Sequence, residues 1–289
     1  MINHTINNSV SEIDDISWIL SNSIAVLTMQ VGFAVLETGS TKKAHCVNIM
    51  LKNLMDMCIC CISWFIIGWS IYSDDSSSFI GAPRVLHTDI CDNKHHSISY
   101  LCANIFFLYT FCSTMVTIVS GAVAERMPFI TYILFVIYSS ICIFPILAHW
   151  VWNPIGFLYK IGYHDFAGAS VVHLSGSIAG LILTIHLKPR YKVFQSNKSI
   201  ISNKLCNIKK KLKIKIKQPV KKESNSILFN TTYNGIRDHI LVILGTIMLW
   251  VGWFGFNMGS TLGLSGNKIS DAVCIGIITA LGGSLGGCT

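Results

Sequence analysis

The feature that most constrains the fold is a series of long segments almost free of charged residues. The clearest runs from Phe166 to Leu187, 22 residues without Asp, Glu, Lys or Arg. A helix of that length rises about 33 Å, and the hydrocarbon core of a bilayer is about 30 Å thick. Further apolar segments predict spans at 16–36, 47–73, 99–124, 128–152 and 239–262, and a partial span that starts at Asp271. The sequence therefore predicts an all-α polytopic membrane protein with six complete spans and part of a seventh.

The composition supports a single membrane domain over residues 1–289. Charged residues make up 12% of the 289 residues and the mean hydropathy is +0.55, whereas soluble domains carry about 25% charged residues. The net charge of +8 is concentrated, because 14 of the 22 Lys and Arg residues lie between Lys188 and Arg237. We interpret residues 188–238 as a basic cytoplasmic loop that attracts anionic lipid by about 1 kcal/mol per basic residue. A charge run beside six spans does not indicate nucleic-acid binding.

The distribution of basic residues predicts the orientation of the chain. With the N-terminus outside, the inner loops contain 18 Lys and Arg residues and the outer loops contain four. Basic residues concentrate in cytoplasmic loops, so we expect the N-terminus on the outside. The sequence contains no zinc-type cysteine spacing, Walker loop, dinucleotide fingerprint or nucleophile elbow. We therefore expect no cofactor, no metal site and no enzymatic activity.

Two polar residues mark the fifth span. Asp165 lies just before it, where a carboxylate can accept hydrogen bonds from the free N–H groups at a helix start. His173 follows eight residues later, about 12 Å deeper in the membrane if the segment is helical. An ionisable residue at that depth indicates a functional site or a hydrogen bond to a neighbouring helix. The two interpretations have equal support from this segment alone.

Several aromatic residues are predicted to lie near the outer ends of their spans. Trp152 ends the fourth span, Phe256 and Ser260 lie at the end of the sixth, and Phe107 and Phe111 lie in the outer half of the third. Tryptophans at such positions are typical of an interfacial aromatic belt. An aromatic entrance above a histidine in the middle of the membrane also suggests capture of a small cation.

Six segments in order along the chain resemble the ammonium transporter family, and they resemble ammonium transporters proper more than their Rhesus relatives. They are Met29–Gly39, Asn48–Asp56, Ser120–Arg126, Ala148–Trp152, Asp165–His173 and Gly252–Ser260. The resemblance implies transport of ammonium or ammonia across the plasma membrane. It also implies residue roles: recruitment of ammonium at the outer mouth by Trp152, Ser260 and Phe107, a gate of Phe111 and Phe256, a pore histidine at His173, and shaping of the site by Asp165.

The resemblance implies a fold that this chain fills in part. The resemblance implies a trimer whose subunits each have eleven spans in two inverted five-helix repeats, with the site at the interface between the repeats. This chain has the first repeat and less than two spans of the second, so the position of a second pore histidine is missing. We expect an incomplete member of the family that transports as a homotrimer or in assemblies with full-length subunits. The alternative hypothesis is a non-transporting partner or regulator of such subunits.

Overall fold

The computed structural model describes residues 2–85, 98–190 and 238–289, with side chains from Ser11 onward. Seven helices in these residues are long and apolar enough to cross a membrane. They are α1 (Ile2–Ser40), α2 (Cys46–Ser63, continued by Trp64–Gly68 and Trp69–Ser73), α3 (Ile98–Val123), α4 (Phe129–Tyr138, Ser139–Ile143 and Phe144–Trp152), α5 (Ala169–Leu174 and Ser175–Leu187), α6 (His239–Gly259) and α7 (Lys268–Cys288). The predicted all-α membrane fold is confirmed. Nearly all of the basic loop at 188–238 lies outside the described residues.

Helix α3 forms the centre of the bundle. It buries 15 of its 26 residues, and α1, α2 and α5 all pack against it. Helix α6 packs along α1, α7 packs against α6, and α4 packs against α2. The apolar residues that remain exposed are concentrated on the outer helices, as expected for surfaces that face lipid.

Glycines bring α6 very close to α1. A Cβ atom on Gly245 would lie 2.5 Å from the backbone nitrogen of Leu36 and 2.7 Å from the carbonyl oxygen of Gly32. Gly255 and Gly259 meet α1 in the same way, at Ala25 and Asn22. Small residues allow membrane helices to approach until their backbones touch, where dispersion forces hold them together. The glycine spacing of α6 is therefore a packing motif.

The Gly282–Gly286 pair on α7 behaves differently from the glycines of α6. No atom of the described residues lies within 4 Å of a Cβ built at either position. The sequence pattern predicts a small-residue face that lets another helix approach, and no described residue of this chain occupies that face.

Three spans contain a π-helical turn, at Trp64–Gly68 in α2, at Ser139–Ile143 in α4 and at Ala169–Leu174 in α5. The turns of α2 and α4 pack together, and a Cβ on Gly68 would lie 2.8 Å from the carbonyl oxygen of Ser140. The sequence predicts a distortion near Pro145, because proline has no N–H to donate within a helix. The wide turn of α4 ends two residues before that proline.

A buried carboxylate on α1 fixes the connection between α6 and α7. Asp15 accepts hydrogen bonds from the backbone N–H groups of Leu264 and Ser265 and from the Ser265 hydroxyl, at 2.6 to 2.9 Å. Helix α7 then begins at Lys268, three residues before the predicted start at Asp271. The Lys268 ammonium donates to the carbonyl of Leu262, so its charge is satisfied at the helix start. With 21 residues, α7 is long enough to cross a bilayer and is not the partial span that the sequence suggests.

The start of α5 is organised by Asp165. Its carboxylate accepts hydrogen bonds from four backbone N–H groups and one hydroxyl, at 2.5 to 2.9 Å, from Gly168, Ala169, Ser170 and Val171. Gly168 adopts a left-handed conformation (φ +80°), which lets the chain turn into the helix. Burial alone would raise the pKa of Asp165, but the hydrogen bonds from the Ser170 hydroxyl and the backbone lower it below its ordinary value. The prediction that Asp165 caps this helix is confirmed.

We expect Gly245→Ala to lower stability by about 1–3 kcal/mol, because the added methyl group forces the α1 and α6 backbones apart. Gly282→Ala is the matched control, since a methyl group there meets no described atom. Thermal unfolding of both variants in lipid nanodiscs measures the difference. Equal unfolding temperatures for the two variants would contradict the proposed close contact.

We expect Asp165→Asn to lower stability at pH 7 by about 1.5–3 kcal/mol, because an amide replaces the charged acceptor of five hydrogen bonds. The pKa is lower in the folded protein, so the carboxylate stabilises the fold above its unfolded pKa of about 3.9. That contribution is lost as the pH falls through the lower, folded pKa. The difference in the free energy of unfolding between the wild type and Asp165→Asn should therefore become smaller below about pH 4. Asp271→Asn, at an exposed carboxylate in the first turn of α7, is the control. A difference in the free energy of unfolding that stays constant from pH 7 to pH 3 would contradict the stabilising role of the ionised Asp165 carboxylate.

Candidate functional site

A cavity of about 210 Å³ lies at the end of the bundle where α4 and α6 finish and α3 begins. All three residues predicted for the outer mouth line it, namely Trp152, Ser260 and Phe107. No Asp, Glu, Lys or Arg is among the lining residues that the structure describes. The cavity therefore offers aromatic rings and neutral polar groups but no ionic partner.

Trp152 is held in place by the turn that starts α5. Its indole nitrogen Nε1 donates a hydrogen bond to the backbone carbonyl of Asp165 at 2.7 Å. Its ring lies edge-on to Phe111, with the centroids 5.9 Å apart. The Asp165 carboxylate points into the backbone N–H groups of α5 and is not among the cavity-lining residues. Asp165 thus fixes the position of the tryptophan while its own charge is satisfied elsewhere.

Two stacked phenylalanine rings form the floor of the cavity. The centroids of Phe111 and Phe256 are 3.9 Å apart with an interplanar angle of 16°, and both side chains are buried. Phe107 lies one helical turn earlier, 4.7 Å from Phe111 between centroids. The two stacked rings are in van der Waals contact. The structure therefore brings both residues of the predicted gate together.

His173 contacts the stacked pair through Phe256. The two ring centroids are 5.4 Å apart, and His173 is not among the residues that line the cavity. It belongs to the π-helical turn Ala169–Leu174, and such turns often occur at functional sites. A hydrogen bond to a neighbouring helix is the other interpretation of this residue. The described part of the chain contains no hydrogen-bond partner for the imidazole.

The cavity wall includes residues that the sequence analysis missed. Trp69, Tyr72, Asn104 and Phe166 all line it. Asn104 was detectable, because it precedes Phe107 by three residues and Phe111 by seven and so lies on the same face of α3. Its side-chain oxygen Oδ1 is buried and has no hydrogen-bond partner in the described part of the chain.

His149, one turn before the end of α4, supports this wall from behind. It is fully buried, and its two ring nitrogens lie 2.8 Å from the backbone oxygens of Tyr72 and Ser77. These contacts tie the end of α2 and the loop that follows it to α4. The position of the Tyr72 ring in the cavity wall depends on them.

No cluster suited to a metal ion is found where side chains are described. Three or more His, Cys, Asp or Glu residues do not come together there. The chemistry available at this site is therefore cation–π contact, hydrogen bonding and proton exchange at an imidazole.

Curated relatives cover almost the whole chain. It is 29% identical over 274 residues to ammonium transporter 3 of Dictyostelium discoideum, covering 94% of this chain and 54% of that protein. It is 33% identical over 262 residues to ammonium transporter 1 member 3 of Solanum lycopersicum, covering 87% of this chain and 49% of that protein. The chain thus spans about half the length of the curated relatives it matches.

Solved structures also have a fold similar to that of this chain. The structure titled Sensor Amt Protein aligns with a TM-score of 0.71 and 30% identity, over 90% of this chain and 58% of that one. Candida albicans Mep2 aligns with a TM-score of 0.66 and 24% identity, over 90% and 51%. The sequence profile described as the Ammonium Transporter Family matches residues 17–207 and 222–289. With that match over most of its length, this chain is a multi-pass membrane protein that belongs to the ammonium transporter family.

Proposed function

We propose that this chain moves ammonium or ammonia across a membrane along the line formed by the cavity, the stacked rings and His173. The observation that carries the proposal is the order of these groups. Trp152 and Ser260 line the cavity, Phe111 in its wall stacks on Phe256, and His173 contacts Phe256 without lining the cavity. Family membership supports ammonium as the substrate, since the relatives are named ammonium transporters. Those relatives are transport proteins and not enzymes.

The cavity has the chemistry to recruit a small cation. Ammonium carries four N–H donors and one positive charge. The Trp152 ring supplies a cation–π surface worth about 0.5–2 kcal/mol. The Ser260 hydroxyl donates to the Phe256 carbonyl at 2.9 Å, which leaves its oxygen free to accept from the ligand. The unpartnered Oδ1 of Asn104 is a second acceptor. We propose that these three residues hold ammonium at the mouth.

The stacked rings select the form that passes. A hydrated cation loses its water at this contact, and burying it without a charged partner costs several kcal/mol. Cation–π energy alone does not repay that cost. We propose that ammonium releases its proton near the rings and that neutral ammonia passes when the rings move aside.

His173 provides the next polar group on this line. An imidazole can accept a hydrogen bond from ammonia or donate one to it, and it can exchange a proton. We propose that His173 receives ammonia beyond the stacked rings.

The assembly and orientation remain predictions. We propose a plasma-membrane location with the N-terminus outside and the 188–238 loop in the cytoplasm, on the basis of the 18 to 4 distribution of basic residues. We propose a homotrimer or an assembly with longer subunits, because α6 and α7 expose large apolar side chains that lipid or another subunit can cover.

Uptake of labelled methylammonium by transport-deficient cells that express this chain tests the proposal. We expect uptake, and we expect Trp152→Leu to raise the half-saturating concentration about 2- to 30-fold, the equivalent of a lost cation–π contact. Trp150→Leu is the control, because Trp150 packs on Phe79 and Phe157 outside the cavity. Absence of uptake with the protein present at the cell surface would refute autonomous transport. An equal effect of both substitutions would refute the role of Trp152.

The role of His173 is tested by the charge that accompanies uptake. We expect His173→Ala to change the ratio of charge moved to methylammonium taken up, because the proton-exchanging group next to Phe256 is lost. His186→Ala is the control, since His186 is exposed on the same helix and its ring contacts the carbonyl of Ile182. Current and uptake are measured together in proteoliposomes. An unchanged ratio in His173→Ala would exclude this role.

A further inference from the structure

A second group of ionisable residues is buried at the other end of the bundle. Glu37 on α1 is 6% exposed, Asp56 on α2 is 0% exposed, and Ser120 on α3 and Tyr132 on α4 are equally enclosed. Ser120 follows Phe111 by nine residues, so this group lies roughly 13 Å along α3 from the stacked rings. None of its members lines the cavity. Buried ionisable residues within spans generally mark a functional site.

Two hydroxyl groups connect the two carboxyl groups. The Tyr132 hydroxyl donates to Oδ2 of Asp56 at 2.7 Å, and the Ser120 hydroxyl donates to Oε2 of Glu37 at 2.9 Å. The Ser120 side chain lies near the Tyr132 hydroxyl, but the structure has no hydrogen bond between the two. The line Asp56–Tyr132–Ser120–Glu37 therefore has a hydrogen bond at each end and an open step between the two hydroxyls. Both hydroxyl hydrogens are used at the ends, so the middle step lacks a hydrogen.

The remaining hydrogen-bond pattern shows the same shortage of donors. Oε1 of Glu37, Oδ1 of Asp56 and Oδ1 of Asn53 are buried without a hydrogen-bond partner among the described residues. All three are acceptors when the carboxyl groups are ionised. Asn53 already uses its amide nitrogen on Oε2 of Glu37 and on the carbonyl of Ile49. One additional proton on a carboxyl group would supply the hydrogen that is missing between the Tyr132 and Ser120 hydroxyls.

The charges around the cluster also leave room for one proton. Lys52, 3% exposed, lies over the Tyr132 ring at 5.4 Å and donates to the carbonyl of Met127. Among the described cations, Lys52 acts electrostatically on both carboxyl groups. Two carboxylates and one ammonium sum to one negative charge, which is unfavourable inside a membrane.

The other groups that face the cluster do not remove this imbalance. Arg190 is within 3.9 Å of the largely buried carboxylate of Glu125, so these two charges offset each other. Thr117 and Cys60 lie beside Asp56 and are neutral as hydroxyl and thiol. One proton added to the two carboxyl groups makes the cluster neutral.

We propose that Glu37 and Asp56 together hold one exchangeable proton, which passes between them through the hydroxyls of Tyr132 and Ser120. A proton on Oδ2 of Asp56 moves to the Tyr132 oxygen as the Tyr132 hydrogen moves to the Ser120 oxygen. The Ser120 hydrogen then moves to Oε2 of Glu37. Each hydroxyl loses one O–H bond and gains another, Asp56 becomes ionised, and Glu37 becomes neutral. The cluster is a proton site separate from the aromatic cavity, and it does not depend on the identity of the transported substrate.

Infrared spectroscopy of the whole chain in lipid nanodiscs tests this proposal without a transport assay. At neutral pH we expect a carbonyl stretching band from a protonated carboxylic acid that shifts when H₂O is replaced by D₂O. We expect part of the band to move when aspartate carboxyls carry ¹³C, and part when glutamate carboxyls do. Absence of an exchangeable band would overturn the proton site. A wild-type band that responds to a single type of label would overturn the sharing.

Substitutions assign the band to this cluster. The combination of Glu37→Gln and Asp56→Asn should abolish it, and persistence of the band would overturn the assignment. Tyr132→Phe removes the hydroxyl link and keeps the ring, so the band should respond to one label instead of two. Tyr138→Phe, at an exposed tyrosine on the same helix, should leave the response to both labels unchanged. A two-label response in Tyr132→Phe would overturn the path through Tyr132. If a variant does not fold, the labelled wild-type protein decides the proposal by itself.

Discussion

The constraint on which this structure depends is that a polar group inside the hydrocarbon core must find its partner within the protein. Two buried carboxylates, Asp15 within α1 and Asp165 before α5, show how the chain meets it. Asp15 and Asp165 each accept hydrogen bonds from consecutive backbone N–H groups of a turn. Asp15 fixes the connection between α6 and α7, and Asp165 fixes the start of α5. The hydrogen bonds that satisfy each carboxylate are therefore the same ones that fix the backbone of the turn.

The same contacts position the cavity. Trp152 donates to the carbonyl of Asp165, so the ring depends on the turn that the carboxylate organises. The close approach of α6 to α1 places Phe256 opposite Phe111, because α1 and α3 are packed together. Bulk at Gly245 would move α6, and the ring stack would move with it. Helix packing far from the cavity thus sets the distance between the two rings.

The sequence was sufficient to predict the spans, the cap at Asp165 and the residues that meet at the cavity. Charge-free length and motif resemblance carry that information. The sequence did not predict that Tyr72 and Asn104 share the cavity, or that Glu37 and Asp56 are linked through Ser120 and Tyr132. Such contacts depend on how each helix is rotated about its axis. In a soluble helix the polar face defines that rotation, whereas here the faces toward lipid and toward the core are both apolar. Glycine spacing replaces that signal for α6 but not for α7, whose glycines meet no described neighbour.

The two ends of the bundle differ in whether charged side chains are present and whether they are accessible. The aromatic cavity is accessible but has no ionic lining residue among those described, so it can hold a cation at its surface and cannot neutralise it. At the opposite end, carboxyl groups and an ammonium are present but are sealed by packing, so an entering ion has no contact with them. On the proposed function, this separation favours passage of a neutral molecule. A cation that reaches the stacked rings meets no charged side chain in the described cavity lining. His173, which contacts Phe256, can bind ammonia through a hydrogen bond without requiring it to be charged.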